Sequence, residues 1–399
     1  MREPAPTQRR AGVLGELALL FLRLGLTAFG GPAAHIALLE HEVVTRRGWM
    51  TREHFLDLLG ATNLIPGPNS TEMAIHVGRE RAGWPGLLVA GACFIVPAAA
   101  LTAALAWSYV HFGTRPHAAG VFYGIKPVMI AIVLQALWGL GRTAVKSWGL
   151  GAILAGAVAA SALGAHELLV LAVGGLLAML GRWFKHRGAA AAPSAAAGLP
   201  ALPGLPGAAA GAAKVGAGTA AVALASLPFS LAALFLFFLK VGAVLFGSGY
   251  VLLAFLRADL VERWRWLTEA QLLDAVAAGQ VTPGPVFTTA TFIGYLLGGA
   301  PGAVVATVGI FLPAFVFVAA SGPLVPRLRR SPALAAFLDG VNAASLALMV
   351  VVAWHLLRAA IIDVPTALFG GASLLALFAL RPNSVWLVLA GALGGWLLS

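Results

Sequence analysis

Cysteine is almost absent from this chain of 399 residues: Cys93 stands alone. No intrachain disulfide can form and no thiolate cage can hold a metal, so no metal site is expected. Charge is scarce as well. Asp, Glu, Lys and Arg make up 10% of the chain, where a soluble domain carries about 25%. That is too little ionic surface to keep the whole chain in water. Catalytic motifs are also missing. There is no His-Glu-x-x-His, no Walker loop and no plausible cysteine–histidine pairing. Neither an enzyme nor a cofactor is therefore expected. An ATP-driven pump is disfavoured, because the chain leaves no room for a soluble nucleotide domain.

What is present is apolar sequence. Hydrophobic residues make up 60% of the chain and the mean hydropathy is +0.90. A membrane-spanning helix needs roughly 20 mainly apolar residues. Candidate segments lie near 13–31, 62–78, 84–110, 120–140, 148–163 and 166–181. A second set lies near 228–249, 283–298, 301–320, 334–357, 361–380 and 383–398. The expected fold is an all-α polytopic membrane protein with about 10–12 membrane segments.

The formal charge is +11. The basic residues sit in short loops, such as Arg79 and Arg81, Arg142 and Lys146, or Arg327 and Arg329. Lys and Arg in short loops mark the cytoplasmic side, so nucleic acid is not an expected partner. Arg9 and Arg10 before Val13–Leu22 imitate a signal peptide. Arg23 interrupts that apolar run and an internal copy of the segment exists, so cleavage is not expected.

Internal repeats decide the organisation. Adding 217 to a first-half position lands on its counterpart without a gap for some sixty residues. Phe21-Leu22-Arg23-Leu24-Gly25 matches Phe238-Leu239-Lys240-Val241-Gly242. Trp49 matches Trp266, Asp57 matches Asp274, and Pro66-Gly67-Pro68 matches Pro283-Gly284-Pro285. After a one-residue deletion the offset is 216, and Pro97 then matches Pro313, as Arg142 matches Arg358. The domains expected are a first repeat at 1–187, an Ala/Gly/Pro-rich linker at 188–226 and a second repeat at 227–399. Lys214 onward suggests a short helix leading into the second repeat. Arg79-Glu80-Arg81 is basic while its counterpart 296–299 is uncharged. Equivalent loops of unequal charge favour inverted repeats.

The two Pro-Gly-Pro motifs carry the functional expectation. Proline lacks an N–H and clashes with the preceding turn, so neither site can be an uninterrupted helix. Pro68 suits the first residue of a new helix running through Met73, Ala74, Ile75 and Val77. A helix that starts inside a bilayer presents unpaired N–H groups and a positive dipole end. Two broken or re-entrant helices in matching positions of two halves point to a transporter binding site.

Around the breaks lie neutral donors: Asn63, Asn69, Ser70 and Thr71 at the first, Thr282, Gln280, Thr288 and Thr289 at the second. They suit an oxyanion's hydration shell, or ordinary capping of a broken helix. Arg23 and Lys240 are cations inside apolar runs at the same repeat position. Such a charge costs about 2.5–3.5 kcal/mol on insertion scales and normally meets a partner or a wet cavity. The alternatives are snorkelling, or pairing with an acid such as Asp57 or Asp274. Gly30-Gly31-Pro32 and Gly247-Ser248-Gly249 allow close packing or backbone contact with a ligand. His35 can donate to an anion or simply pack. Glu72 and His76, one helical turn apart, form a candidate proton site, or Glu72 pairs with Arg23. The segments 51–60 and 268–279 read as amphipathic helices lying on the membrane, each opened by a threonine cap. Trp49 and Trp266 read as interfacial anchors.

With these residues placed, the chain resembles the chromate ion transporter family, in its long form with two homologous domains. The first half reads Phe21-Leu-Arg-Leu-Gly25, Ala28-Phe-Gly-Gly-Pro-Ala-Ala-His-Ile36, Trp49 and Asn63-Leu-Ile-Pro-Gly-Pro-Asn-Ser-Thr-Glu72. The second carries Lys240-Val-Gly, Phe246-Gly-Ser-Gly249 and Thr282-Pro-Gly-Pro285. It departs at Gly249, where the first half has Pro32, and at Leu252, where the first has His35. The resemblance implies a multi-pass protein of the bacterial inner (plasma) membrane that exports chromate and confers chromate resistance. Sulfate, an isostere, is the alternative substrate it implies.

The reading is a secondary transporter of a tetrahedral oxyanion. The expected partners are that anion, the lipid bilayer and a second copy of the chain in a homodimer. Sulfate or another inorganic anion is the alternative. An intramembrane enzyme using Glu72, His35 or His76 is the remote one. The first half is expected to contact substrate and the second mainly to close the cavity.

Overall fold

A computed structural model of the chain describes residues 6–29, 31–112, 116–190, 228–246, 251–329, 331–380, 382 and 384–398. These residues form helices and short connections, in two equivalent series. The first series is α1 (Pro6–Thr27), α2 (Gly31–Glu40), a π-helical turn (His41–Arg46), α3 (Arg52–Thr62), α4 (Asn69–Phe112), α5 (Pro116–Ala144), α6 (Trp148–Ala162) and α7 (Glu167–Ala190). The second is α8 (Leu231–Val244), α9 (Leu252–Phe255), a π-helical segment (Leu256–Arg263), α10 (Glu269–Val281), α11 (Thr289–Arg329), α12 (Pro332–Ala360), α13 (Val364–Ala379) and α14 (Ser384–Leu398). Among the described residues five stretches are long and apolar enough to cross a membrane: 69–112, 120–144, 167–184, 286–321 and 332–360. Helices α6, α8, α13 and α14 are apolar but shorter. The chain is a multi-pass membrane protein of two homologous all-α halves.

Both long stretches are hairpins, not single rods. Ala82 and Gly83 leave helical geometry, with Gly83 at φ +66°. Gly78 then lies against Gly86 and Ala90. On one straight helix those residues would be about 12 and 18 Å apart. So 69–81 and 84–112 fold back on each other with no side chain between their backbones at Gly78 and Gly86. Gly298, Gly299, Gly294 and Gly302 repeat the device in α11. The separate segments read at 62–78 and 84–110, and at 283–298 and 301–320, are these arms.

Within each half the first helix packs on the long arm of the hairpin: α1 on α4 and α8 on α11. Gly25 lets α1 approach the backbone carbonyls of Cys93 and Phe94, and Gly242 lets α8 approach that of Ile310. Between halves the packing is reciprocal. Helices α4 and α11 pack on each other, α6 and α7 pack on α12, and α13 and α14 pack on α5. Contacts of the form i–j′ with j–i′ are the mark of a two-fold relation. Gly124 faces Gly391 and Gly395, as Gly340 faces Gly174. The later helices of each repeat thus complete the other half.

Helix α7 runs to Ala190. The helix suggested from Lys214 onward lies outside the described residues. Helix α10 does not lie on the membrane surface. It has the threonine cap and a capping box with Gln271, but Leu272–Gly279 are buried on every side. It is packed between α4, α5, α11 and α12, so past its first turn its residues face protein all round. Only α3 keeps an exposed face.

Candidate functional site

The first break is a turn that crosses between halves. Asn63 ends α3 and accepts from Asn69 Nδ2 at 2.7 Å, closing the loop over Pro66-Gly67-Pro68. The new helix starts at Asn69, one residue later than expected. Pro68 caps it instead, its carbonyl accepting from the N–H groups of Thr71 and Glu72. Gly67 has φ +141°, a conformation side chains avoid. Its N–H donates to the carbonyl of Leu245, just past α8, at 2.8 Å. At the second break Gly284, φ +87°, donates to the carbonyl of Ala28, just past α1, at 2.8 Å. Positions 67 and 284, and 28 and 245, are repeat equivalents. Each break is therefore held by the other half, by the same bond. Pro283 and Pro285 flank the second turn, and Pro285 accepts from the Thr288 hydroxyl at 2.9 Å.

His35 ties the two breaks together. Its Nε2 is 3.0 Å from the Ala28 carbonyl, which also receives Gly284. A carbonyl only accepts, so Nε2 carries the proton. Nδ1 then faces the Ser70 hydroxyl, at the start of the first break's helix, at 3.4 Å. Phe21, Leu24, Leu39, Ala74 and Phe94 close a small apolar pocket around the pair. The second half has Leu252 at this position and no such link.

Beyond the break three buried groups lack partners. Thr71 Oγ1, both Glu72 oxygens and His76 Nε2 make no hydrogen bond among the described residues. Glu72 is fully buried, with its carboxyl tucked under Gly67. It does not pair with Arg23, so that expectation is overturned. A buried carboxylate without a partner is costly.

Arg23 and Lys240 are placed alike, but with acids the sequence reading missed. Arg23 lies 3.6 Å from Glu42, which Arg46 (3.0 Å) and Arg47 (3.4 Å) also contact. Lys240 and Arg263 both bond Asp259, which is wholly buried. Glu42 and Asp259 are repeat equivalents, as are Arg46 and Arg263. Arg23 is 58% exposed. Asp274, offered above as a partner for such a cation, pairs with Lys126 instead. The missed signal was the second acid–base pair at the same offset: the π-helical turn that presents each acid to the preceding helix is not visible in hydropathy. Burial works against ionising Glu42, but its bonds to Arg46 and Arg47 and the Arg23 charge hold its carboxyl below the usual range.

Gly31 and Pro32 open α2. Gly30, Gly247 and Ser248 lie outside the described residues. Trp49 lies against Arg47 and Arg81, each 5.1 Å from its ring, and Trp266 meets Trp264 in a tilted contact and Phe229 edge-on.

A family model described as "Chromate transporter" matches residues 15–179 and again 232–396. The chain is 32% identical over 386 residues to the chromate transport protein of Cupriavidus metallidurans, covering 95% of this chain and 91% of that one. It is 34% identical over 394 residues to the chromate transport protein of Pseudomonas aeruginosa, covering 96% and 92%. A probable chromate transport protein of Synechococcus elongatus is 30% identical over 391 residues, covering 96% and 95%. No solved structure matches the chain significantly.

Proposed function

The chain belongs to the chromate transporter family, and from that premise we propose that it exports chromate from the bacterial cytoplasm as a secondary transporter of the inner membrane, conferring chromate resistance. The reciprocal bonding of the two helix breaks carries this reading. Two broken helices, each latched to the other half, give a pair of N-termini whose orientation depends on how the halves sit. Alternating access moves one half against the other around such a pair of broken helices.

In this reading the substrate contacts are the groups at the breaks: Asn63, Pro66, Gly67, Pro68, Asn69, Ser70 and Thr71, with Pro283, Gly284, Pro285 and Thr288. Neutral donors and helix N-termini bind an oxyanion without a large net charge. His35 adds a further contact in the first half, and the sequence motifs add Gly30, Gly31 and Pro32 there and Gly247 and Ser248 in the second. Arg23 and Lys240 supply positive potential at the mouth while neutralising Glu42 and Asp259. Glu72, whose carboxyl oxygens have no partner among the described residues, and His76, whose Nε2 has none, form the proton site. The repeats are inverted, the breaks are re-entrant in the bilayer, and two copies of the chain form a homodimer. The protein acts as a transporter, not an enzyme.

Energetics favour export. A dianion leaving a negative cytoplasm gains about 4.6 kcal/mol per 100 mV, twice the roughly 2.3 kcal/mol of one charge. The test uses inverted membrane vesicles with an imposed potential, lumen positive. Chromate accumulation that vanishes with the potential supports the proposal. Absence of accumulation would refute export. Sulfate shares chromate's shape and charge, and competition in the same vesicles ranks the two.

A further inference from the structure

Lys126 is a cation inside a membrane span, and its setting assigns it a role none of the above gives it. It lies on α5 within the apolar stretch 120–144, ten residues after the helix begins at Pro116. Its ammonium is 3.1 Å from Asp274 Oδ1. That oxygen makes no aligned hydrogen bond, so the contact is an ion pair that takes up at most one of the ammonium's three donors. The other oxygen, Oδ2, accepts from the Tyr109 hydroxyl at 2.9 Å. The acid is sealed, at 3% exposure, while the lysine side chain remains 21% exposed.

The cluster joins the two halves. Tyr109 and Lys126 come from α4 and α5, and Asp274 from α10. It also leads to the second break. Along α4 and α10 the contacts run Tyr109–Asp274, Thr102–Thr282 and Ala98–Gly284. Asp274 is thus about two and a half helical turns from Pro283. Around the first break the repeat-equivalent positions are Val325, Asp57, Val318, Ile65 and Asn342, in place of Tyr109, Asp274, Thr102, Thr282 and Lys126. Only Asp57 keeps a charge, so this polar ladder occurs once.

We propose that Lys126 is an oxyanion-binding residue on the path to the second break, and that Asp274 is its built-in competitor. This rests on the transport reading above and deepens it. A lysine ammonium has three donors on a flexible stem. Asp274 neutralises the charge when the site is empty and leaves donors for a tetrahedral dianion on the exposed side. A transport site must bind well enough to fill and weakly enough to empty. Asp274 weakens the hold of Lys126 on the anion and so permits release. Tyr109 positions the carboxylate, keeping it from following the lysine.

The test is equilibrium binding of chromate, and of sulfate, to purified protein by calorimetry, with vesicle transport in parallel. Lys126→Gln weakens binding about tenfold or more, and Lys126→Arg retains it. Asp274→Asn tightens binding and slows turnover. A structural ion pair gives the opposite pattern: Lys126→Gln and Asp274→Asn lose binding together, and the double variant recovers it. That result overturns the proposal. So does wild-type binding in the double variant, which has no buried charge left unpaired and serves if Lys126→Gln fails to fold. If the unsubstituted protein binds neither anion, the transport reading fails before any variant is compared.

Discussion

The backbone N–H of Gly67 donates to the carbonyl of Leu245 at 2.8 Å. Its repeat image is the bond from Gly284 to Ala28. The two glycines tolerate substitution differently. A Cβ on Gly67 would lie 2.3 Å from Glu72 Oε1, the end of a side chain that can move. A Cβ on Gly284 would meet the Ala98 Cβ at 2.6 Å and the Gly25 carbonyl at 3.0 Å, which cannot. Positive φ alone costs about 1–3 kcal/mol for a side chain. Gly284→Ala is expected to destabilise more than Gly67→Ala. Adding Glu72→Ala is expected to relieve only the latter. Thermal unfolding in detergent checks the order.

His35 sits between Ser70 and the carbonyl that holds Gly284. His35→Ala opens a hole beside Phe94 and removes one donor to Ala28, at a cost of about 1–3 kcal/mol. His35→Gln keeps a donor and loses less. Chromate flux is expected to fall further than stability does, since both breaks lose their common tie. Equal falls in flux and in folded protein would make His35 a packing residue only.

Glu42 titrates below its ordinary value of 4.5 in the folded protein. A depressed carboxyl contributes stability above its unfolded pKa and loses it as pH falls through the folded one. The apparent melting temperature is therefore expected to drop below about pH 4.5. Glu42→Gln is expected to be less stable at neutral pH and to show a smaller acid-side drop. Asp259→Asn strips the wholly buried partner from Lys240 and Arg263, and breaking a buried pair costs about 3–5 kcal/mol. A neutral-pH melting temperature unchanged by Asp259→Asn would remove the structural role given to this cluster.

Two equivalent salt bridges have opposite polarity. Glu40 pairs with Arg52 at 2.9 Å in the first half, and Arg257 with Glu269 at 2.7 Å in the second. Positions 40 and 257 are equivalent, as are 52 and 269. Arg257→Glu places like charges against Glu262 and Glu269 and is expected to destabilise. Adding Glu269→Arg is expected to recover part of the loss, with a coupling energy of about 0.5–3 kcal/mol. A double-mutant cycle on melting temperature measures it. Zero coupling would mean the contact contributes nothing.

Hydropathy and the offset of 217 determined the class of fold, the two copies and the positions of both breaks. These are local properties: apolar length forces spans, and proline in an apolar run forces a break. The partners across the breaks were out of reach, because hydrogen bonds such as Gly67–Leu245 join positions far apart in sequence. Arg23 and Lys240 stood out as cations in apolar runs, but their acids sit beyond a π-helical turn whose register hydropathy does not reveal. Lys126 went unnoticed because α5 looks like any other span. Only the exchange of helices between halves brings α10 against it, and turns an isolated lysine into one that faces Asp274.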